Sequence, residues 1–232
     1  MKIHMLELLD GAKSARGTAV IIDVFRAFSL ECYAYAQGVS DIIAAGAEEE
    51  ARRLMRVHPD AFSVGERGGI RMPGFDCGNS PYLLGKHDLK GRLMIHTTSS
   101  GTQGIVNASG AEEILTGSLV NAGAIAEYLL RKDPEEVSIV AMGLSASSPA
   151  EEDQLCARYL KLLLENGGEP PQMDWPAEFS LLRRTQGQKF FRPETQADLP
   201  EQDFDLCIDV SRFDFVLRAR READGEIHIR RV

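Results

Sequence analysis

The sequence predicts an α/β fold of three layers, with helices on both faces of a mostly parallel or mixed sheet and a β-hairpin at the C-terminus. Strand-length apolar runs alternate with helical patterns over roughly two thirds of the chain. This order is typical of parallel sheets that are covered by helices. Near the end of the chain, Asp224-Gly225 separates two strand-like segments, and this pair suits a hairpin turn with positive φ.

The first predicted elements follow from apolar runs and from residues that begin or end helices. The run TAVIIDV, at 18–24, has the composition of a buried strand, and the helical pattern after it ends at Gly38. Glutamates open a later helix, where the helix dipole favours acidic side chains. The predicted elements are a strand at 18–24, a helix at 27–37, a strand at 41–44, a helix at 47–57 and a strand at 62–65.

The alternation then resumes after a long loop and ends in a different kind of segment. The predicted elements are a strand at 93–96, a helix from about 102, a strand at 113–116, a helix at 121–131, a strand at 137–142 and a helix at 149–165. Residues 173–199 are polar and aromatic, and we predict helix and loop there. The hairpin strands are predicted at 213–221 and 226–232.

Length and composition restrict the class of protein. The 232 residues suit one large domain, or two closely packed lobes within residues 1–232. The net charge of −9 argues against a nucleic-acid surface, but a local arginine cluster or cation can hold a small anion. No apolar run approaches the ~20 residues of a membrane helix, and no signal peptide is visible. The four cysteines form no C-x-x-C pair, which predicts reduced thiols and a cytoplasmic protein.

Several motifs of phosphate chemistry are absent from the sequence. It has no Cys-x5-Arg and no Arg-His-Gly, and Asp23-Val24-Phe25 is not an Asp-x-Asp motif. The segment ending in Gly85-Lys86-His87 misses the P-loop pattern, and residues 143–147 miss the nucleophile elbow. A lone histidine on a strand, such as His96, is more often a hydrogen-bonded core residue than a metal ligand. These absences argue against cysteine-based and phosphohistidine mechanisms.

Asp23 and Arg26 follow the first predicted strand and precede a helix. Ligands of parallel sheets bind beyond the carboxyl ends of the strands. A carboxylate at this position can hold Mg²⁺ through oxygen, and an arginine beside it can bind phosphate. The alternative interpretation is a helix-capping Asp that pairs with the Arg.

A glycine-rich loop at 65–81 places acidic, basic and hydrogen-bonding side chains close together in the chain. Its two motifs are Gly-Glu-Arg-Gly-Gly at 65–69 and Gly-Phe-Asp-Cys-Gly-Asn-Ser-Pro at 74–81. Glycines let backbone N–H groups approach an anion, and a loop of this length is uncommon in a compact domain unless it has a function. The alternative is a surface loop with solvated charges.

Two further segments lie at predicted strand ends. His-Thr-Thr-Ser-Ser-Gly-Thr, at 96–102, opens a helix, where hydroxyls and free N–H groups can bind an anion or form an ordinary N-cap. Glu151-Glu152-Asp153 lies in the first turn of another helix. Acids there usually compensate the helix dipole, but a metal ligand is the other interpretation.

At these residues the sequence resembles the 2-phosphosulfolactate phosphatase family. The resemblance is carried by residues 18–160 and is weaker in the tail. The pair formed by the motifs at 65–69 and 74–81 is its most specific part. The other matching segments are Ile-Asp-Val-Phe-Arg-Ala at 22–27, Thr-Thr-Ser-Ser-Gly-Thr at 97–102 and Glu-Asp-Gln-Leu-Cys-Ala at 152–157.

The resemblance implies a Mg²⁺-dependent phosphatase that cleaves 2-phospho-3-sulfolactate to 3-sulfolactate and phosphate, a step of coenzyme M synthesis. Together with the motifs, it indicates Asp23, Arg26, Glu66 and Arg67 as catalytic residues. The expected metal ligands are Asp23, Glu66, Asp76 and Asp153. The expected substrate-binding residues are Arg26, Arg67, Gly68, Gly69, Asn79, Ser80, Thr97, Thr98, Ser99, Gly101 and Thr102.

The sequence leaves several alternatives open. The attacking group is an aspartate, with Asp23 as the first choice, or a water bound by the metal. The substrate is the sulfonated phosphoester or another small phosphorylated hydroxy acid. A third alternative is an anion-binding protein of the same fold without catalysis. The chain is a monomer or an oligomer, including a homodimer.

Overall fold

The computed structural model describes all residues, 1–232, as ten strands and nine α-helices. The strands are β1 (Lys2–Glu7), β2 (Thr18–Ile22), β3 (Asp41–Ala45), β4 (Phe62–Arg67), β5 (Ile70–Arg71), β6 (Leu93–Thr97), β7 (Glu113–Gly117), β8 (Glu136–Ala141), β9 (Leu217–Arg221) and β10 (Ile227–Arg231). The helices are α1 (Leu8–Ser14), α2 (Ala27–Ala36), α3 (Glu48–Val57), α4 (Pro81–Leu84), α5 (Gly101–Asn107), α6 (Ala122–Lys132), α7 (Glu151–Glu165), α8 (Trp175–Arg184) and α9 (Gln202–Cys207). Short 3₁₀ helices lie at Leu119–Asn121, Gln186–Phe191 and Pro193–Thr195.

All ten strands form one mixed sheet in the order β1-β8-β2-β7-β9-β10-β3-β6-β4-β5. One parallel set comprises β1, β8, β2 and β7, and a second comprises β3, β6 and β4. The hairpin β9–β10 lies between the two sets and pairs antiparallel with β7 and with β3. The C-terminal segment therefore joins the two halves of the sheet.

Both faces of the sheet are buried. Successive side chains of a strand point to opposite faces, and in this sheet they belong to different clusters of the hydrophobic core. In β2, Ala19 and Ile21 belong to one cluster, whereas Val20 and Ile22 belong to another. Helices α2 and α5 contribute to the first cluster, and α6 and α7 contribute to the second. The predicted α/β fold with a mixed sheet is thus confirmed.

The C-terminal hairpin is also confirmed, with shorter strands than predicted. The sequence predicted it only as an appended terminal element, whereas it occupies the middle of the sheet. The edge strand β1 and the short helix α1 were not predicted. In the tail, the predicted helix and loop segment contains α8 and two 3₁₀ helices. The number of domains stays a prediction, and no helix combines the length and apolarity needed to cross a membrane.

The carboxyl ends of the two parallel sets meet. Gly101, just after β6, donates its N–H to the carboxylate of Asp23, just after β2, at 2.9 Å. In the sheet order β7, β9, β10 and β3 lie between these two strands. Neighbouring strands twist by about −20 to −25°, so the rotation accumulates over the intervening pairings and turns the two halves toward each other. A site can therefore draw on both halves.

Candidate active site

A cleft of about 300 Å³ lies where the two sets of strand ends meet. Only three of its 16 lining residues are hydrophobic, and the lining comes from both halves of the sheet and from the tail. The lining residues are Asp23, Phe25, Arg26, Glu66, Gly68, Gly69, Asn79, Ser99, Ser100, Gly143, Leu144, Ser145, Glu152, Asp153, Lys189 and Leu199. Four of these are carboxylic acids, which we call the cleft acids: Asp23, Glu66, Glu152 and Asp153.

Asp23 lies one residue beyond β2, and backbone N–H groups hold both of its carboxylate oxygens. Oδ1 accepts from Ala27 at 3.3 Å, and Oδ2 accepts from Gly101 at 2.9 Å. The approach of Gly101 requires glycine, because a Cβ there would lie 3.0 Å from Asp23 Oδ2 and 2.9 Å from Phe28. The sequence thus fixes the orientation of this carboxylate through a close backbone contact.

Asp153 is held in the same way in the first turn of α7. Its Oδ1 accepts from the N–H of Val24 at 2.7 Å, and its Oδ2 accepts from the N–H of Gly143 at 2.8 Å. Gly143 follows β8 with φ of 68°, a left-handed conformation that favours glycine. Asp153 therefore ties the ends of β2 and β8 to the start of α7.

Glu66 brings the second parallel set into the site. It lies in β4, and its Oε1 accepts from the N–H of Ser99 at 2.7 Å while its Oε2 accepts from Gly69 at 2.6 Å. One carboxylate thus binds both the loop after β6 and the turn Gly68-Gly69 between β4 and β5, which we call the glycine turn.

Glu152 differs from the other cleft acids. Its side chain is buried, yet Oε2 has no hydrogen-bond partner. A buried carboxylate oxygen without a partner is costly, since it loses its water and gains nothing in return. Glu152 lies in the segment 151–153 that the sequence indicates as a candidate, although only Asp153 was expected to bind metal.

Burial and neighbouring acids make negative charge unfavourable on Asp23, Glu152 and Asp153. Burial, reinforced by the nearby charge of Glu66, raises the pKa of Asp23 from 3.8 to about 6. Burial raises the pKa of Glu152 from 4.5 to about 7. Burial and the charges of Asp23 and Glu152 hold the pKa of Asp153 well above its usual range. Several acids that raise one another's pKa values in a cleft are a sign of a functional site.

The donor chemistry of the cleft fits Mg²⁺. The acids offer only oxygen, which this hard cation prefers, and Glu152 directs an unpartnered oxygen into buried space. The only set of three ligating side chains with donor atoms within 4.8 Å of one another is Asp224, Glu226 and His228, which does not line the cleft. No three of the cleft acids therefore lie close enough together to ligate one ion, so a Mg²⁺ ion here would bind one or two carboxylates and keep waters.

Two cationic side chains line the cleft, and they differ in their availability. Arg26 is buried and bonded to protein: Nη1 donates to the Asp203 carboxylate at 2.7 Å and to the carbonyl of Asp198 at 2.6 Å, and Nη2 donates to the carbonyl of Gly69 at 3.1 Å. Arg26 therefore joins the C-terminal segment to the glycine turn. Three of the five N–H donors of its guanidinium are thus used within the protein.

Lys189 is the available cation. It lines the cleft from the 3₁₀ helix Gln186–Phe191, and no carboxylate lies within 4.0 Å of its ammonium group. The ammonium lies 5.7 Å from the ring centroid of Phe25 and 5.3 Å from that of Phe190. Its positive charge lowers the pKa of Glu152, against the larger effect of burial. Lys189 was not predicted from the sequence, because its segment carries no recognisable motif.

The family model for 2-phosphosulpholactate phosphatase matches residues 3–222. The chain belongs to the 2-phosphosulpholactate phosphatase family. This result confirms the family resemblance and extends it from the central motifs through β1 to the tail, including Lys189 and Asp203.

Relatives named probable 2-phosphosulfolactate phosphatase share this similarity. The protein of Caldicellulosiruptor saccharolyticus is 37% identical over 153 residues, which cover 64% of this chain and 63% of the relative. That of Carboxydothermus hydrogenoformans is 36% identical over 166 residues, covering 71% and 68%. That of Bacillus subtilis is 26% identical over 213 residues, covering 90% and 88%. The first two matches thus span about two thirds of each relative.

In this member of the 2-phosphosulpholactate phosphatase family, the structure brings only some of the predicted site residues together. Those that line the cleft are Asp23, Arg26, Glu66, Gly68, Gly69, Asn79, Ser99 and Asp153. Those that do not are Arg67, Asp76, Ser80, Thr97, Thr98, Gly101 and Thr102.

The residues outside the cleft make contacts that shape its walls. Asp76 Oδ2 accepts from the N–H and the hydroxyl of Ser63 at 2.8 and 2.7 Å, which holds this side chain outside the cleft. Arg67 donates to the carbonyl of Glu66 and to the hydroxyl of Thr97 at 3.1 Å. Thr98 and Thr102 bond to each other across the turn after β6, and Ser80 caps α4. The turn presents Ser99 and Ser100 to the cleft instead.

Proposed function

We propose that the protein is a Mg²⁺-dependent phosphatase that hydrolyses 2-phospho-3-sulfolactate to 3-sulfolactate and phosphate. The observation that carries the proposal is the convergence of four acids and one unpaired ammonium group in a single cleft. The printed names of the relatives support the choice of substrate. Two of Asp23, Glu152 and Asp153 would hold the metal, with waters completing its coordination. When bound, Mg²⁺ supplies positive charge that stabilises the phosphoryl oxygens.

The remaining groups of the cleft bind and orient the substrate. Lys189 faces the same space as Asp23 and Glu152, so its ammonium group binds an anionic oxygen of the phosphoester. Ser99 and Asn79 add hydrogen-bonding groups from the opposite half of the sheet. Asp23 is mostly ionised at neutral pH, since its pKa is raised only to about 6, and it is held in a single orientation. It is therefore placed to attack phosphorus or to accept a proton from the attacking water.

Phosphate release tests this function directly. Purified protein is incubated with 2-phospho-3-sulfolactate, with Mg²⁺ or with EDTA, and free phosphate is measured. We expect release with Mg²⁺, loss of release in EDTA and recovery when Mg²⁺ is restored. The absence of release from this substrate and from related phosphorylated hydroxy acids would contradict the proposed function. Phosphate release that persists in EDTA would show that the reaction does not require Mg²⁺.

Replacing Lys189 with methionine is expected to lower kcat/KM about 10- to 100-fold, the effect of losing a hydrogen bond to a charged group. Methionine keeps the apolar contacts with Phe25 and Phe190 but cannot bind an anion. Steady-state kinetics of phosphate release measures the change. Lys86→Met, at an exposed position outside the cleft, is the matched control and should leave kcat/KM unchanged. Equal kcat/KM values for the two variants would show that Lys189 does not bind the substrate.

Metal-free protein is expected to lose stability as pH rises. The pKa of Asp23 is raised from 3.8 to about 6, and that of Glu152 from 4.5 to about 7. Because the folded-state pKa values exceed the unfolded-state ones, protonation of these two acids stabilises the folded protein. This contribution to the free energy of unfolding is complete below about pH 4 and is lost as the pH rises through about 6 and 7. Mg²⁺ needs the ionised acids, so at about pH 8 saturating Mg²⁺ should raise Tm by about 5–10 °C, and by less near pH 5.

Thermal unfolding in EDTA and in Mg²⁺ at both pH values measures this effect. Glu152→Gln removes one of these titrating groups, so its metal-free Tm should fall less with pH than that of the wild type. An equal rise in Tm with Mg²⁺ at both pH values would contradict the assignment of these acids to the metal.

We also propose that the enzyme acts in the cytoplasm and in a coenzyme M type of pathway. All four cysteines are free and buried, which supports a reducing compartment. A homodimer and the lack of nucleic-acid binding stay predictions, which light scattering and an electrophoretic binding assay would test.

A further inference from the structure

Three buried polar side chains form a hydrogen-bonded chain behind the cleft. Glu31 lies in α2, His96 in β6 and Asn79 just before α4. His96 Nδ1 lies 2.9 Å from Glu31 Oε1, and His96 Nε2 lies 3.1 Å from Asn79 Oδ1. Glu31 and His96 are 0% exposed, and Asn79 is 4% exposed. An acid and an imidazole without access to water are costly to bury, so their arrangement calls for a reason.

Only one end of this chain reaches the cleft. Asn79 lines it, whereas Glu31 and His96 do not. At the far end, Glu31 Oε2 has no partner within hydrogen-bond distance, and burial raises the pKa of the Glu31 carboxyl against the opposing effects of His96 and of the Thr116 hydroxyl. The chain therefore reaches the cleft only through Asn79.

The contact with His96 determines which end of the Asn79 amide faces the cleft. An amide oxygen can only accept, so an oxygen directed at Nε2 requires a proton on that nitrogen. The oxygen and nitrogen of an amide point in different directions, and Asn79 Nδ2 has no acceptor within the protein. With Oδ1 turned inward, Nδ2 is left to donate into the cleft. The reverse orientation would present an oxygen to an anionic substrate and repel it.

We propose that Glu31 and His96 are positioning residues that hold Asn79 with its Nδ2 directed into the cleft, as a donor to an anionic oxygen of the substrate. Two protonation states of the pair provide the required proton on Nε2. In one, a charged imidazole faces the Glu31 carboxylate; in the other, a protonated Glu31 donates to Nδ1. The identity of the anion rests on the proposed phosphatase function, but the orientation of Asn79 does not.

The protonation of His96 is measured without any substrate. Protein labelled with ¹⁵N in histidine is examined by NMR between about pH 6 and pH 8, and the signals missing from His96→Phe identify His96. We expect Nε2 to resonate as a protonated ring nitrogen throughout. An unprotonated Nε2, with the proton on Nδ1 alone, would overturn the proposal, because Asn79 would then have to turn its Nδ2 toward the ring.

A double-mutant cycle tests the effect on substrate. His96→Phe is expected to lower kcat/KM about 10-fold or more, mainly through KM, because Asn79 loses the contact that orients it. In the Asn79→Ala background the same change should alter kcat/KM by less than about 2-fold, since no amide is left to orient. Equal losses in both backgrounds would overturn the proposal and indicate a purely structural role.

Two controls keep the cycle interpretable. His87→Phe, at an exposed histidine outside the cleft, should leave kcat/KM unchanged. If His96→Phe does not fold, Glu31→Leu replaces it in the cycle and should show the same dependence on Asn79. If the wild type releases no phosphate, the phosphatase function fails, and the NMR measurement still decides the orientation of Asn79.

Discussion

Asp23→Asn is expected to lower kcat for phosphate release by a factor of about 10³ or more, in the range seen when a residue central to the chemistry is removed. Asp23 contributes a negative charge to the proposed metal site and is the first choice for the attacking group. Both of its oxygens accept backbone N–H groups, so an asparagine must direct its NH₂ at either Ala27 or Gly101. The substitution therefore removes the charge and also disturbs the turn that orients Ser99.

Single-turnover and steady-state measurements of phosphate release with saturating Mg²⁺ test this expectation. Asp10→Asn is the matched control, because the Asp10 side chain is 99% exposed on α1 and does not line the cleft. It should behave like the wild type. If Asp23→Asn retained a tenth or more of the wild-type kcat, Asp23 would be neither the attacking group nor an essential metal ligand.

Trapping separates the two chemical roles left open for Asp23. If its carboxylate attacks phosphorus, rapid quenching in acid should retain a phosphoryl group on the wild-type protein, and base should release it. Asp23→Asn should retain none. If the wild type is fully active and no phosphoprotein is trapped, a water molecule is the attacking group and Asp23 acts on it or on the metal.

Asp203→Ala is expected to lower the free energy of unfolding by about 3–5 kcal/mol, because it leaves the Arg26 guanidinium buried without its partner. The two side chains meet at 2.7 Å, and neither is more than 2% exposed. Asp203 Oδ1 also accepts from the hydroxyl of Ser80 and from the N–H of Tyr82 at 2.8 and 3.0 Å. Burial raises the pKa of Asp203 and the Arg26 charge opposes that rise, so the carboxylate depends on this partner.

Urea denaturation at neutral pH measures the difference. Asp205→Ala is the control from the same helix, since Asp205 is exposed and forms no ion pair. A double variant, Arg26→Met with Asp203→Leu, should recover part of the stability, because it removes both buried charges together. Equal stability of Asp203→Ala and Asp205→Ala would show that the buried pair contributes little.

The sequence predicted best the acids that directly follow apolar strands or open a helix. Asp23 and Asp153 are of this kind, and both lie in the cleft. Glu66 was predicted from its glycine-rich motif and also lies there. In contrast, side-chain direction in an irregular loop depends on contacts that spacing does not reveal. Asp76 turns to Ser63, and Arg67 turns to Thr97, so both leave the cleft.

The residues that the sequence analysis missed have different explanations. Glu152 resembles an ordinary acid in the first turn of a helix, and only its burial without a partner for Oε2 marks it as unusual. Lys189 lies in a segment without a motif, and only the packing of that segment against Phe25 brings its ammonium group to the cleft. His96 was correctly interpreted as a buried hydrogen-bonded histidine, but its link to Asn79 depends on residues 17 positions apart.

The sequence alone determined the α/β class, most of the strands and helices, the hairpin turn and the motifs that carry the family resemblance. These features depend on short-range patterns, in which each residue's burial follows a period of 2 or about 3.6 along the chain. Only the tertiary structure decided that the hairpin joins the two halves of the sheet, and which acids and cations share the cleft. Strand order and the meeting of distant side chains arise from long-range packing, whose partners no local pattern specifies.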